Sequence, residues 1–289
     1  MPIPLKTRLI ETRLIRPAAQ LAGALRALAL PAATLLLCAC TEWAHDRPAE
    51  ELSYGPFHEL RIYLPQPPAQ HLALLLSGDG GWGAPLPEIA ARLRAEGTLV
   101  AGVDVRDLFT RYEHDDQDCA SPGKDLGQLA HYLRQRYALP SATPVLIGHS
   151  AGATLAYIAL AQSAPGTFAG ALTLSFCADF DLVKPLCAAP APGFVRRSAG
   201  VRLLPAASAL PARWFALHGL DDSECPAQEA QDFAGRIPGA HFIGLPGITH
   251  SYHHMGRWWP AFDGAWRQLI AAAPARARRP ELAVFGTLH

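Results

Sequence analysis

The chain has 289 residues, 50% of them hydrophobic and 17% charged. That composition allows one large packed domain rather than two full ones. A formal net charge of zero gives no indication of the basic footprint of a nucleic-acid binder, and neither an internal repeat nor a long block of like charge is present.

The first forty residues differ from the rest. Lys6, Arg8, Arg13, Arg16 and Arg26 make a basic start, with Glu11 as the only acid. Ala27 to Leu37 is apolar but too short to span a bilayer, and it reads as the apolar core of a signal peptide. It runs into Leu37-Cys38-Ala39-Cys40, which resembles a bacterial lipobox with Cys40 as the lipidated residue. The expected organisation is a lipoprotein signal peptide over 1–40, a tether over 41–57, one α/β domain over 58–273 and a tail over 274–289. Removing residues 1–39 takes away five of 25 basic and one of 25 acidic residues, which leaves 20 against 24 and a net charge of −4.

Four cysteines follow Cys40: Cys119, Cys177, Cys187 and Cys225. An even number in an exported chain predicts at least one disulfide. Connectivity does not follow from spacing, but Cys177 and Cys225 come after neighbouring strands and are the first pair to consider. No Cys-x-x-Cys pair occurs, which argues against a structural zinc site.

In chain order, His58–Leu64 alternates and reads as an edge strand. His71–Leu76 is a buried-strand run, followed by Ser77-Gly78-Asp79-Gly80-Gly81-Trp82. Residues 87–96 have helical spacing with Pro at the start and Gly97 after the end. Residues 98–105 form a strand, 107–122 an acid-rich loop and 124–137 a helix. After a strand over 168–176, residues 178–211 hold several Pro and Gly without a period and read as an insertion over the site. Residues 213–217 and 241–245 are strands, and 226–236 and 259–272 are helices. Strands alternating with helices predict a mostly parallel sheet covered by helices on both faces, with ligands at the carboxyl ends of the strands.

The stretch Val145-Leu-Ile-Gly-His-Ser-Ala-Gly-Ala153 organises this pattern. An apolar strand meets Gly148-His149-Ser150-Ala151-Gly152, and a helix-like run follows. Gly-x-Ser-x-Gly between strand and helix is the context of a nucleophile elbow, with Ser150 as the nucleophile. A serine hydroxyl needs a base, and on such folds the chain order is serine, acid, histidine. The acid is expected in His218-Gly219-Leu220-Asp221-Asp222-Ser223-Glu224-Cys225-Pro226. Asp222 fits the spacing best, and Asp221 is second. The base is expected directly after the last strand, at His250, with His253 and His254 as alternatives. A metal cluster of these histidines is the weaker reading, and no cofactor is called for. Oxyanion donors are expected from the backbone of Ala151 and from Asp79 or Gly80. A phosphate cradle at Ser77–Gly81 fails, because no Gly-Lys-Ser/Thr follows. Trp82, Asp221 and Glu224 are read as substrate-facing. Asp79, Asp115, Asp116, Asp118, Asp221 and Glu224 are expected on loops that rim the pocket.

Serine, acid and histidine in this order resemble the α/β-hydrolase superfamily. Leu76-Ser-Gly-Asp-Gly-Gly-Trp82, Leu146-Ile-Gly-His-Ser-Ala-Gly-Ala153, Cys177-Ala-Asp-Phe-Asp-Leu182, Asp221-Asp-Ser-Glu-Cys-Pro226 and Leu245-Pro-Gly247 resemble more closely the bacterial virulence protein VirJ/AcvB type, over about residues 70 to 272. Gly-His-Ser stands where that family often has Gly-Tyr-Ser, and His250 stands alone where it often has paired histidines. The resemblance implies an α/β-hydrolase fold, a periplasmic location and hydrolysis of aminoacyl esters of phosphatidylglycerol, or a part in virulence-associated export. The expected activity is a serine ester hydrolase acting on alanyl- or lysyl-phosphatidylglycerol, lipid-anchored and without direct nucleic-acid contact. A general carboxylesterase and a non-catalytic accessory protein on a hydrolase fold are the alternatives.

Overall fold

The computed structural model describes residues 48–180, 182, 184–187, 195–196 and 202–272. The signal peptide, Cys40, the start of the tether and the tail over 274–289 lie outside the described residues. Eight strands form one sheet in the order β1 (Glu50–Tyr54), β2 (Phe57–Tyr63), β4 (Thr98–Val103), β3 (His71–Leu76), β5 (Val145–His149), β6 (Gly170–Leu174), β10 (Arg213–Gly219) and β11 (Ala240–Leu245). The pairings β1–β2 and β2–β4 are antiparallel. All pairings from β4 to β11 are parallel.

Parallel strands need cover on both faces, and side-chain alternation supplies it. Leu72, Leu74 and Leu76 point into one core with Leu146, Trp214 and Ala216. Ala73 and Leu75 point into the opposite core with Val145, Ile147 and Phe215. Helices α2 (Val105–His114), α3 (Pro122–Arg136), α4 (Ala151–Gln162) and α5 (Ala227–Gly235) bury residues in the first core, and α1 (Leu86–Ala95) and α6 (Trp259–Ala272) in the second. Helix α4 is buried from Gly152 to Leu160. A helix apolar on all sides needs burial, and α4 packs against β3, β5 and β6 of the sheet and against α3. Among the described residues, no helix is long and apolar enough to cross a membrane.

Two stretches depart from expectation. Glu50–Tyr54, assigned to the tether, is the edge strand β1 and displaces β2 from the edge. Its residues alternate half-buried and exposed, and Leu52 and Tyr54 pack on the core, so the domain begins before residue 58. Residues 107–122 are not one loop. Asp104 accepts from the N–H groups of Arg106 and Asp107 and starts α2, as an N-cap does. Val105, Leu108 and Tyr112 follow at helical spacing and are buried; Arg106, Thr110 and Arg111 between them form the exposed face of that helix. Among its described residues, the segment expected as an insertion holds three short antiparallel strands, β7 (Asp179–Phe180), β8 (Val195–Arg196) and β9 (Arg202–Leu203).

The sheet order places the site. From β3 the chain passes to β4 on one side, then to β5 on the other. The crevice beyond β3 and β5 is therefore a topological switch point, where ligands bind in open α/β sheets.

Candidate active site

Ser150 stands between β5 and α4 with φ 55° and ψ −124°. A non-glycine residue with this backbone costs about 1–3 kcal/mol and persists only where its surroundings enforce it. The surroundings here are close-packed backbone. A Cβ on Gly148 would lie 2.1 Å from the Gly152 carbonyl oxygen, and one on Gly152 would lie 2.2 Å from that of Ser77. Both positions must be glycine for strand, helix and the β3 loop to approach. The Ser150 N–H donates to the Leu174 carbonyl at 3.0 Å, and the Ser150 carbonyl accepts from the N–H groups of Ala153 and Thr154.

Asp222 follows β10, and its side chain is fully buried. Its Oδ1 accepts from the N–H groups of Glu224 and Cys225, each at 3.0 Å. Its Oδ2 accepts from Ser175 Oγ at 2.5 Å. Both oxygens face His250 Nδ1, at 3.1 and 3.0 Å. His250 Nε2 lies 3.0 Å from Ser150 Oγ. A carboxylate only accepts, so Nδ1 carries the proton and Nε2 accepts from the serine hydroxyl when the ring is neutral. Burial pushes the Asp222 carboxyl up, but hydrogen bonds from His250, Ser175 and the Cys225 N–H, with the His250 charge, outweigh it and bring it to about 2. Burial pulls His250 down; the hydrogen bond and charge of Asp222, with the charges of Glu224 and Asp79, outweigh it and raise it.

Three further residues hold this line, and none is marked in the sequence. His149 is buried and its Nε2–H donates to the carbonyl oxygen of His250 at 2.8 Å. Burial lowers its pKa. Ser175 sits just past β6 with φ 52°, and its N–H donates to Tyr252 Oη at 3.2 Å. Tyr252 in turn donates to the Leu217 carbonyl at 2.8 Å. Only the identity of the variable elbow position could have drawn attention to His149, and a serine after a strand carries no signal of its own.

A cleft of about 370 Å³ opens over Ser150, lined by Asp79, Phe109, Ala151, Asp179, Glu224 and His250 among others. Asp79 and Ala151 line the cleft with Ser150. Gly80 does not line the cleft; it is exposed in the turn closed by Gly81 N–H to the Gly78 carbonyl. Gly78 approaches the serine closely: an added Cβ there would lie 3.2 Å from Ser150 Cβ. Glu224 Oε2 lies 3.6 Å from His250 Nε2.

Several expected rim residues lie elsewhere. Trp82 is a packing residue: its ring covers Gly102, where a Cβ would come within 2.3 Å of it, and it stacks on Tyr63 with Arg61 above. Trp82 turns to the antiparallel side of the sheet because β2 and β4 leave that glycine-floored gap. Asp221 is exposed and does not line the cleft; its backbone N–H donates to the Ile248 carbonyl. Asp115, Asp116 and Asp118 are exposed past α2 and do not line the cleft; Asp115 pairs with Lys184. His253 and His254 are exposed, with His254 in the left-handed region at φ 59°. Among the described residues, no cluster of three His, Cys, Asp or Glu side chains could hold a metal ion.

Among the described residues, two disulfides are present. Cys177–Cys225 has a Cα separation of 5.2 Å and Cys119–Cys187 one of 4.9 Å, both in the ordinary range. The second ties the stretch after α2 to the segment after β7.

Residues 70–182 match the family model described as Bacterial virulence protein (VirJ). No curated protein matches the chain. Among solved structures, the chain is similar to Est1E from Butyrivibrio proteoclasticus, with 14% identity over 78% of this chain and 99% of that one and a TM-score of 0.52. It is similar to esterase 2 of Thermogutta terrifontis, with 17% identity over 80% and 97% and a TM-score of 0.52. A serine hydrolase homologue from Coxiella burnetii is similar at 15% identity over 77% and 98%, with a TM-score of 0.50. At such identities the likeness is one of fold. The match to the VirJ model covers residues 70–182 of the 289, and what the chain shares with these structures is the α/β-hydrolase fold.

Proposed function

We propose that the protein is a serine ester hydrolase in which Ser150 is the nucleophile, His250 the general base and Asp222 the group that orients it. The observation that carries this reading is the unbroken hydrogen-bonded line from Ser150 Oγ through His250 to Asp222. Ser150 Oγ attacks the ester carbonyl carbon as its proton passes to His250 Nε2. The tetrahedral oxyanion is held by the N–H of Ala151 and that of Asp79. His250 then gives its proton to the departing alcohol, which leaves an acyl-serine. Water attacks the acyl group with His250 again as base, and the free acid departs.

The preferred substrate in this reading is the aminoacyl ester of alanyl- or lysyl-phosphatidylglycerol. Such an ester carries an ammonium group close to its carbonyl. The Asp79, Asp179 and Glu224 carboxylates along the cleft favour a cation there, and the match to VirJ over 70–182 supports the same substrate. Lipidation at Cys40, followed by periplasmic exposure, would keep the cleft within reach of lipid headgroups. A general carboxylesterase is the second reading, favoured by Phe109 as an apolar wall of the cleft.

A fluorophosphonate probe with mass mapping should label Ser150. Purified protein should release amino acid from the aminoacyl lipid in mixed micelles, and Ser150→Ala should not. Good cleavage of short neutral p-nitrophenyl esters with the aminoacyl lipid left intact would leave only the carboxylesterase. Loss of acylation on Cys40→Ala in a bacterial host tests the anchor.

A further inference from the structure

Asp222 is held from two sides, and a disulfide joins those two sides. On one side, Ser175 Oγ donates to Oδ2 at 2.5 Å, and Cys177 lies two residues further on. On the other, Cys225 N–H donates to Oδ1 at 3.0 Å. The Cys177–Cys225 bridge closes this ring. Each cysteine is also anchored through its own backbone. The Cys177 carbonyl accepts from Thr154 Oγ1 at 2.8 Å, on the nucleophile helix α4. The Cys225 carbonyl accepts from His218 Nε2 at 2.7 Å. Both cysteines border the catalytic cleft and a small groove behind it, where Glu229 and Pro226 also lie. Cys177 is half-buried and Cys225 is buried.

We infer that the Cys177–Cys225 disulfide is a positioning bridge for Asp222, which makes the reactivity of Ser150 dependent on the oxidation state of this pair. The inference rests on the reading of Ser150, His250 and Asp222 as a working triad. Without the bridge, the loop over residues 222–225 is tied to the end of β6 by hydrogen bonds alone. Asp222 can then drift from His250, and a displacement of about 1 Å at a catalytic group costs about a hundredfold in rate. The chemistry balances with a dithiol as reductant. The S–S bond breaks, two electrons and two protons pass to the two sulfurs, and the dithiol leaves as its own disulfide.

The test compares the full chain with Cys177→Ala/Cys225→Ala by two readouts. The first is the rate of fluorophosphonate labelling at Ser150 as a function of pH. The second is the titration of His250 followed by NMR, which needs no turnover. Labelling about a hundredfold slower, with the His250 titration moved to lower pH because Asp222 no longer holds its proton, is the expected result. An unchanged titration and an unchanged labelling rate would overturn the inference. Should the double variant fail to fold, the native protein is treated with a dithiol and its free thiols are mapped. Slower labelling that recovers on reoxidation is then expected. Free thiols at Cys177 and Cys225 with labelling and titration intact would again overturn it. Failure of the esterase reading looks different: the oxidised protein would not be labelled at all, while the His250 titration would still report on the bridge.

Discussion

His149, the variable residue of the Gly-x-Ser-x-Gly elbow, donates its Nε2–H to the carbonyl oxygen of His250 at 2.8 Å. The residue beside the nucleophile thus fixes the backbone of the residue that bonds to it. The two rings lie 5.2 Å apart, and Tyr252 packs edge-on against His149. The bond crosses from β5 to the loop after β11, strands that are not neighbours in the sheet. His149→Ala removes a buried donor and leaves the His250 carbonyl without its partner, a loss of about 1–3 kcal/mol. Turnover should fall about tenfold or more with the fold retained, as read by ester hydrolysis beside circular dichroism. Full activity in this variant would show that the base loop holds itself.

Removal of any member of the Ser150–His250–Asp222 line should have a far larger effect. Ser150→Ala and His250→Ala should each lower kcat by about four to six orders of magnitude, and their combination should cost little more, because the three act as a unit. Asp222→Asn should cost about 10⁴ by offering His250 the wrong tautomer. The measurement is kcat on an ester substrate for the single and double variants. Additive losses would contradict a shared machine.

The base works only when its imidazole is neutral. Because His250 is raised above 6.5, kcat/KM should climb with pH through a midpoint above 6.5. Glu224→Gln removes one of the charges that raise it, so the midpoint should move to lower pH. The shift should shrink in high salt, since the Glu224 side chain is 71% exposed and such charges are screened. A pH–rate profile of both proteins at two ionic strengths checks this.

The same groups link stability to pH. Asp222 falls from 3.8 to about 2 on folding, so its contribution is present above about 3.8 and is lost as pH drops toward 2. His250 is raised on folding, so its contribution is complete below 6.5 and is lost as pH rises through the folded value. Thermal melts should therefore show Asp222→Asn losing its stability deficit at strongly acid pH.

Trp82 separates packing from binding. Its ring fills the space over Gly102, so Trp82→Ala should lower stability by about 2–4 kcal/mol and leave KM nearly unchanged. Gly102→Ala should be destabilising for the opposite reason, since the new methyl meets the ring. A raised KM in a stable Trp82→Ala protein would return this residue to the substrate site.

The elbow, the parallel sheet and the order of the chemical residues were all legible along the chain. Each is a local matter: glycines at a tight turn, apolar runs of strand length, and acids or histidines directly after them. The alternation of β3 and β5 between two cores needs no distant partner to be read. What the tertiary structure decided are relations between distant segments. Asp222 rather than Asp221 faces His250 because the turn after β10 buries one carboxylate and exposes its neighbour. His250 rather than His253 or His254 meets Ser150 because the loop after β11 turns outward past Tyr252. Ser175 and His149 belong to the site only because β6 and β5 end beside it. The acids past α2 lie away from the cleft, since a buried Val105–Leu108–Tyr112 face turned the expected loop into a helix. Pairing of Cys177 with Cys225 and of Cys119 with Cys187 depends on which strand ends meet. Spacing along a chain determines which face a side chain takes; only the order of strands in the sheet determines what that face meets.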